Sequence, residues 1–318
     1  MIFRLSLLII LLSHTAAGHT YGHSAKTSAV CGKTGDIALQ VLGSGGPIAD
    51  DGRASSSYLL WVEGKSQFMI DTGGGAFLRF GEAGAHFSEL NHIGISHFHT
   101  DHSTDLVALL KSGYFSERTR TLPISGPAAG GDYPGLESYL DQLLGSGFGA
   151  YGYLDGYLDG SEGLVKLDSH EVDSDSSKPQ AVYSDTGHDI EIHALGVPHG
   201  PVPALAYRIR VGEKTVIFSG DHNGSSEAFI NFARGADMLV MHMPVPEKIS
   251  GTGRKLHAPP GIIGKIASSV GADTLVLSHF MARSLYNLNE NLNVIQSHFD
   301  GKILAADDLD CYILQDMD

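Results

Sequence analysis

Short apolar runs dominate this chain, and many of them stop abruptly at glycine, aspartate or histidine. Residues 36–42 (Asp-Ile-Ala-Leu-Gln-Val-Leu) alternate with period two and end at Gly43-Ser44-Gly45-Gly46-Pro47, which predicts a strand running into a turn. That glycine-rich turn lacks the lysine and following helix of a phosphate-binding loop and reads as a loop near a site. Strands are expected again at 57–62 and 67–70, the second ending in Asp71-Thr72-Gly73, and at 93–96, which leads straight into His97. A helical period takes over at 105–111, where Leu106, Leu109 and Leu110 share a face, and at 136–144, with a short strand between at 122–125. The second half predicts strands at 190–197, 204–211, 215–219, 238–241, 274–278 and 311–314, and helices at 225–233, 259–270 and 288–299. Strands first, then strand–helix alternation in both halves, predict an α/β chain of two packed sheets with helices outside.

Three stretches depart from this rhythm. Arg4 precedes the apolar block 5–12, and Ala16-Ala17-Gly18 follow, the pattern of a secretory signal peptide over residues 1–18. The block is too short to span a bilayer, so no stable membrane insertion is expected after cleavage. Residues 19–35 are small and polar and read as a flexible mature N-terminus, leaving 36–318 as one domain. Residues 145–189 are rich in glycine, acidic residues and tyrosines such as Tyr151, Tyr153 and Tyr157. They read as a surface excursion or as a lid over a pocket.

Charge and cysteines sharpen the picture. The 318 residues carry a formal charge of −15, and loss of residues 1–18 removes Arg4 alone among the charged groups, giving −16. Such a surface repels polyphosphate backbones, so nucleic acid is not expected as a partner. Cys31 and Cys311 sit near the two ends of the mature chain. In an exported, periplasmic or secreted protein they could close one long disulfide loop, the alternative being two free thiols.

The candidate chemistry starts at His97-Phe98-His99-Thr100-Asp101-His102. If the preceding run continues as a strand, His97 and His99 point to one face, and Asp101 and His102 fall where the strand opens into a loop. Three imidazoles and a carboxylate suit Zn²⁺ or a similar borderline metal better than Ca²⁺ or Mg²⁺. Three more strand ends carry residues of the same type: His199, Asp221 and His279. In open α/β sheets, strand ends are where sites are built.

With these residues in order, the chain resembles the metallo-β-lactamase superfamily from about residue 36 to 314. The resembling motifs are Asp71, His97-x-His99-x-Asp101-His102, His199, Asp221 and His279. The resemblance implies a four-layer αβ/βα sandwich with the site at one edge between two mixed sheets flanked by helices. It implies that His97, His99 and His199 hold one divalent ion and Asp101, His102 and His279 a second. Asp221 would bridge the two, and Asp71 would orient ligands. Within the superfamily the nearest local similarity is to the tRNase Z branch, through residues 236–242, His257 ahead of a helix, and Leu277-Ser278-His279-Phe280. That branch carries a His-Glu-Ala-Thr motif. Here His242 stands first, Met243 replaces the glutamate, and His257 matches the catalytic histidine. Only 21 residues separate His199 from Asp221, too few for the tRNA-gripping arm inserted there in that branch.

The resemblance therefore implies a dinuclear metallohydrolase with two divalent ions, Zn²⁺ first and Mn²⁺ or Fe²⁺ as alternatives. A metal-bridged hydroxide, held in part by Asp101, would cleave a small anionic ester, a phosphodiester or an aryl sulfate, with His257 as general acid. A lactonase or β-lactamase-like hydrolase and an exported non-catalytic metal-binding protein are the competing readings. His86, His92, His170, His188, His193, His222 and His298 lie outside the motifs and read as structural or solvent-exposed.

Overall fold

The computed structural model describes residues 31–314 apart from Thr34. The expected signal peptide and most of the expected flexible N-terminus lie outside the described residues. Among the described residues fourteen strands follow in chain order: β1 (Ile37–Gly43), β2 (Ser57–Val62), β3 (Lys65–Ile70), β4 (His92–Gly94), β5 (Leu122–Pro127), β6 (Leu167–Val172) and β7 (Gln180–Asp185). They continue as β8 (Ile190–Gly196), β9 (Leu205–Val211), β10 (Lys214–Phe218), β11 (Met238–His242), β12 (Thr274–Ser278), β13 (Lys302–Ala305) and β14 (Cys311–Ile313).

The strands form two seven-stranded sheets, ordered β14-β1-β2-β3-β4-β5-β6 and β13-β12-β11-β10-β9-β8-β7. Each sheet has an antiparallel half (β14-β1-β2-β3; β10-β9-β8-β7) joined to a parallel half (β3-β4-β5-β6; β13-β12-β11-β10). The parallel halves need crossovers, which the helices supply.

Alternation along the strands divides the core into three layers. Leu39 and Val41 of β1 enter the layer between the sheets, with Val216 of β10 and Met238 and Val240 of β11. Ala38 and Leu42 face the other way, under the helices Ala76–Glu82, Leu106–Gly113 and Leu136–Leu144. Leu239 and Met241 likewise face the helices Glu227–Phe232 and Pro260–Val270. Strands buried on both faces read as continuous apolar runs, which is why β2 and β11 lack a polar side. Two mixed sheets packed face to face between helices are the four-layer sandwich that the sequence implied.

The segment 145–189 supplies one edge strand of each sheet, β6 pairing with β5 and β7 with β8. Its aromatics are not all loose, since Tyr157 is buried and its hydroxyl donates to the carbonyl of Leu110 at 2.7 Å. Edge strands with exposed outer positions carry no apolar run, so composition hid them. Cys31 and Cys311 are joined in a disulfide spanning 280 residues, which ties the start of the described chain to β14.

Candidate metal centre

Most of the side chains of interest stand at or just beyond the carboxyl ends of β3, β4, β8, β10, β11 and β12. The stretch at 97–102 departs from its expected form. β4 ends at Gly94, so His97 and His99 lie in a loop, while Asp101 and His102 open the short helix Thr100–Ser103. The loop is held by Asp71 instead of by sheet pairing. The Asp71 carboxylate accepts from the Ser96 N–H at 2.6 Å, from the Ser96 hydroxyl at 2.8 Å and from His102 Nδ1 at 2.7 Å. Asp71 itself sits at φ 60, a left-handed conformation that costs a non-glycine residue roughly 1–3 kcal/mol and marks functional sites. Gly73 lets this loop close, because a Cβ there would lie 2.2 Å from the carbonyl oxygen of Asp101.

Two groups of donors converge. His97, His99 and His199 form the first, with His97 Nε2 3.0 Å from His99 Nδ1. The Nδ1 of His199 lies 3.1 Å from the carbonyl of Leu256, so it carries the proton and turns the Nε2 lone pair inward. That buried Nε2 has no hydrogen-bond partner. The second group contains His102 and His279, whose Nε2 atoms face each other at 3.1 Å. Asp101 Oδ2 lies 3.2 Å from His279 Nε2 and 3.6 Å from His102 Nε2. Asp221 stands between the groups: its carboxylate is 3.7 Å from His199 and 4.0 Å from His97, and also 3.6 Å from His102 and 3.4 Å from His279.

His242 was not among the expected site residues, although it ends β11 just as His279 follows β12. Its Nδ1 lies 2.7 Å from Asp221 Oδ1, and its Nε2 lies 2.9 Å from the Tyr58 hydroxyl. Tyr58 Oη is in turn 3.0 Å from Ser278 Oγ. Applying the strand-end rule to β11 would have found His242; nothing local to β2 marks Tyr58. Met243, one residue on, points the opposite way into the helix-side core. His257 does reach the site, its Nδ1 3.8 Å from Asp221 Oδ2 and without a hydrogen-bond partner. The glycine-rich turn also reaches it: a Cβ at Gly46 would stand 3.0 Å from the His279 ring, so any side chain there would press on that ring.

Among the histidines outside the motifs, His92 and His222 are buried, His92 Nε2 against Ser125 Oγ at 2.9 Å and His222 on the Phe229 ring. His86, His170, His188 and His298 are exposed, and His193 is half-buried.

The electrostatics favour a cation at this centre. Burial pushes His97, His99 and His199 below the usual imidazole range, leaving them neutral and able to donate lone pairs. Burial opposes charge on His102 and His279 too, yet the neighbouring carboxylates, Asp71 and Asp221 for the first and Asp221 and Asp101 for the second, raise both. Asp101 and Asp221 stay ionised against burial because these histidines face them. A pocket that pulls protons onto buried imidazoles has the negative potential to hold divalent ions in their place. Mixed imidazole and carboxylate donors fit Zn²⁺, Mn²⁺ or Fe²⁺.

The two packed mixed sheets flanked by helices are the metallo-β-lactamase fold. Similarity to individual proteins points the same way. The family described as anti-Pycsar protein Apyc1 matches residues 37–128. Ribonuclease Z of Mycobacterium bovis is 25% identical over 291 residues, covering 86% of this chain and 96% of its own. Among solved structures, the metallo-β-lactamase fold protein YhfI from Bacillus subtilis superposes with a TM-score of 0.65 at 23% identity, over 87% of this chain and 99% of its own. The short form of human tRNase Z gives a TM-score of 0.67 at 18% identity over the same shares.

One expectation is corrected by this result. The net charge of −15 argued against nucleic acid as a partner, yet relatives that span 86% of this chain are ribonucleases. The argument failed because net charge sets the long-range field only. What a phosphate meets at close range is the local donor set and any cations it holds.

Proposed function

We propose that this chain is a metal-dependent hydrolase of phosphodiester bonds. The observation that carries the proposal is Asp221, one carboxylate within 4.0 Å of imidazole nitrogens from both donor groups. A carboxylate so placed can be shared by two ions, and the similarity to ribonuclease Z points to phosphodiesters over the aryl sulfates also considered. His97, His99 and His199 would hold one ion, Asp101, His102 and His279 the other, with Zn²⁺ the first choice. Bound divalent ions supply a water of lowered pKa as nucleophile and offset charge on the phosphoryl oxygens.

The protein's own groups do the rest. Asp71 fixes the His102 ring through Nδ1, so that Nε2 faces the centre. The Leu256 carbonyl does the same for His199. His242 holds Asp221 through Oδ1, the oxygen that also lies 3.4 Å from His279 Nε2. His257, like His242, lies near Asp221 outside the two sets of proposed ligands. Burial pushes its pKa down to about 3, so it enters the reaction neutral and assists the leaving oxygen through an N–H hydrogen bond.

The Cys31–Cys311 bond supports reading the chain as exported, since disulfides persist in oxidising compartments. Fractionation of the producing cells tests that point.

The function is tested on the mature chain loaded with Zn²⁺ or Mn²⁺. Metal content near two ions per chain and turnover of bis(p-nitrophenyl) phosphate are expected. Precursor tRNA and small cyclic or linear nucleotide diesters then separate polymeric from small substrates. A fully loaded protein inert towards all of these would end the proposal.

A further inference from the structure

Beside the metal centre lies a small, partly open cavity of about 170 Å³, lined chiefly by Phe98, His99, Tyr133, Tyr139, Val202 and Pro203. Two of its walls continue directly from candidate ligands. Phe98 precedes His99, and Val202 pairs through its backbone with His199. The third wall is a braced turn. Gly130 and Tyr133 exchange two backbone hydrogen bonds, at 3.2 and 3.0 Å, and Gly130 packs so near Pro203 that a Cβ would stand 2.8 Å from its ring. Tyr139 stacks on Phe98 with centroids 4.4 Å apart and 16° between planes, and its hydroxyl donates to the carbonyl of Ser103, in the helix that carries Asp101 and His102. The aromatic wall is thus locked to the same backbone as the ligands.

We infer that this cavity is a subsite for a planar aromatic group of the substrate, a nucleobase in kind, held with the scissile phosphate at the neighbouring metal centre. Sites for whole drug-sized ligands run to roughly 300–1,000 Å³, so about 170 Å³ takes one planar ring system and not a whole ligand. Its lining is apolar apart from the tyrosine hydroxyls and the His99 ring, and the Tyr139 hydroxyl is already engaged with Ser103. The ring is therefore bound by stacking and burial and not by a read-out of base edges, which makes the subsite tolerant of base identity. Tyr133, at the mouth and 36% exposed, is the face on which the ring closes. The inference rests on the phosphodiester reading for the position of the phosphate.

The test compares adenosine 5′-monophosphate with ribose 5-phosphate, which differ by the base alone, in calorimetric titrations of the metal-loaded protein. Base–aromatic stacking makes the expected preference for the nucleotide about 5- to 150-fold. In Tyr133→Ala the preference should fall towards one, and in Tyr133→Phe it should persist. Tyr133 lies at the surface, and a thermal melt of each variant confirms folding. Equal affinity of the wild type for the two probes, or a preference that survives Tyr133→Ala, would overturn the subsite. Parallel assays with bis(p-nitrophenyl) phosphate keep the two readings apart. Turnover without a base preference removes the subsite and leaves the hydrolase, while a base preference without turnover of any diester does the reverse.

Discussion

His242 Nδ1 stands 2.7 Å from Asp221 Oδ1, the carboxylate oxygen that also lies 3.4 Å from His279 Nε2. With the Tyr58 hydroxyl at 2.9 Å on its other nitrogen, His242 fixes the orientation of the one carboxylate both donor groups share. The neighbouring Met243, where the tRNase Z branch has glutamate, is turned into the core. Support for the site comes here from the histidine of the pair.

Removing that support should therefore act through the metal. His242→Ala leaves Asp221 Oδ1 without its imidazole partner, and loss of such an outer partner typically weakens metal binding about 10- to 100-fold. Competition with a chromophoric chelator measures it. Tyr58→Phe should give a smaller loss in the same direction.

His257→Ala should separate substrates by their leaving groups. A hydrogen bond to the charge developing on a basic leaving oxygen is worth about 1.5–3 kcal/mol, roughly 10- to 150-fold, and little where p-nitrophenolate departs unaided. Turnover of an alkyl or nucleoside diester should thus fall steeply while bis(p-nitrophenyl) phosphate falls far less, with metal content unchanged. Equal losses on both would mean that His257 serves binding or structure.

Acid should destabilise the fold through His92, which lies apart from the metal donors. Burial lowers its pKa to about 3 from an unfolded value near 6.5, so the unfolded chain binds the extra proton. This contribution is complete above about pH 6.5 and is lost progressively as pH falls towards 3. At pH 5 the loss is about 2 kcal/mol. Urea unfolding of wild type and His92→Gln at pH 5 and 7.5 reads the difference, and the variant should show the shallower pH dependence.

Reducing Cys31–Cys311 should lower stability by about 2–5 kcal/mol, since the bond closes a loop of 280 residues in the unfolded chain. Melts with and without dithiothreitol check this, and Cys31→Ser should reproduce the reduced value. Dialysis against a chelator should lower the melting temperature separately. A ligand held at 100 times its Kd contributes about 2.7 kcal/mol.

The amino-acid sequence alone determined most of the order of elements, β6, β7 and β13 excepted, and the types of donor at the strand ends. Apolar runs of period two and 3.6 report burial locally, and His, Asp and Gly clusters report where those runs stop. It also carried the pairing of residues 31 and 311 as one of two possibilities. Tertiary structure decided what depends on contacts between distant segments. His97 and His99 reached one donor group from a loop clamped by Asp71, not from a strand pleat, because the ladder ends at Gly94. The edge strands β6 and β7 stayed hidden because one-sided burial leaves no apolar signature. His242 and Tyr58 became part of the site only when β2 and β11 packed face to face, 184 residues apart in the chain. Net charge, a sum over all residues, could not reveal a local field set by the few that fold brings within 4 Å of one another.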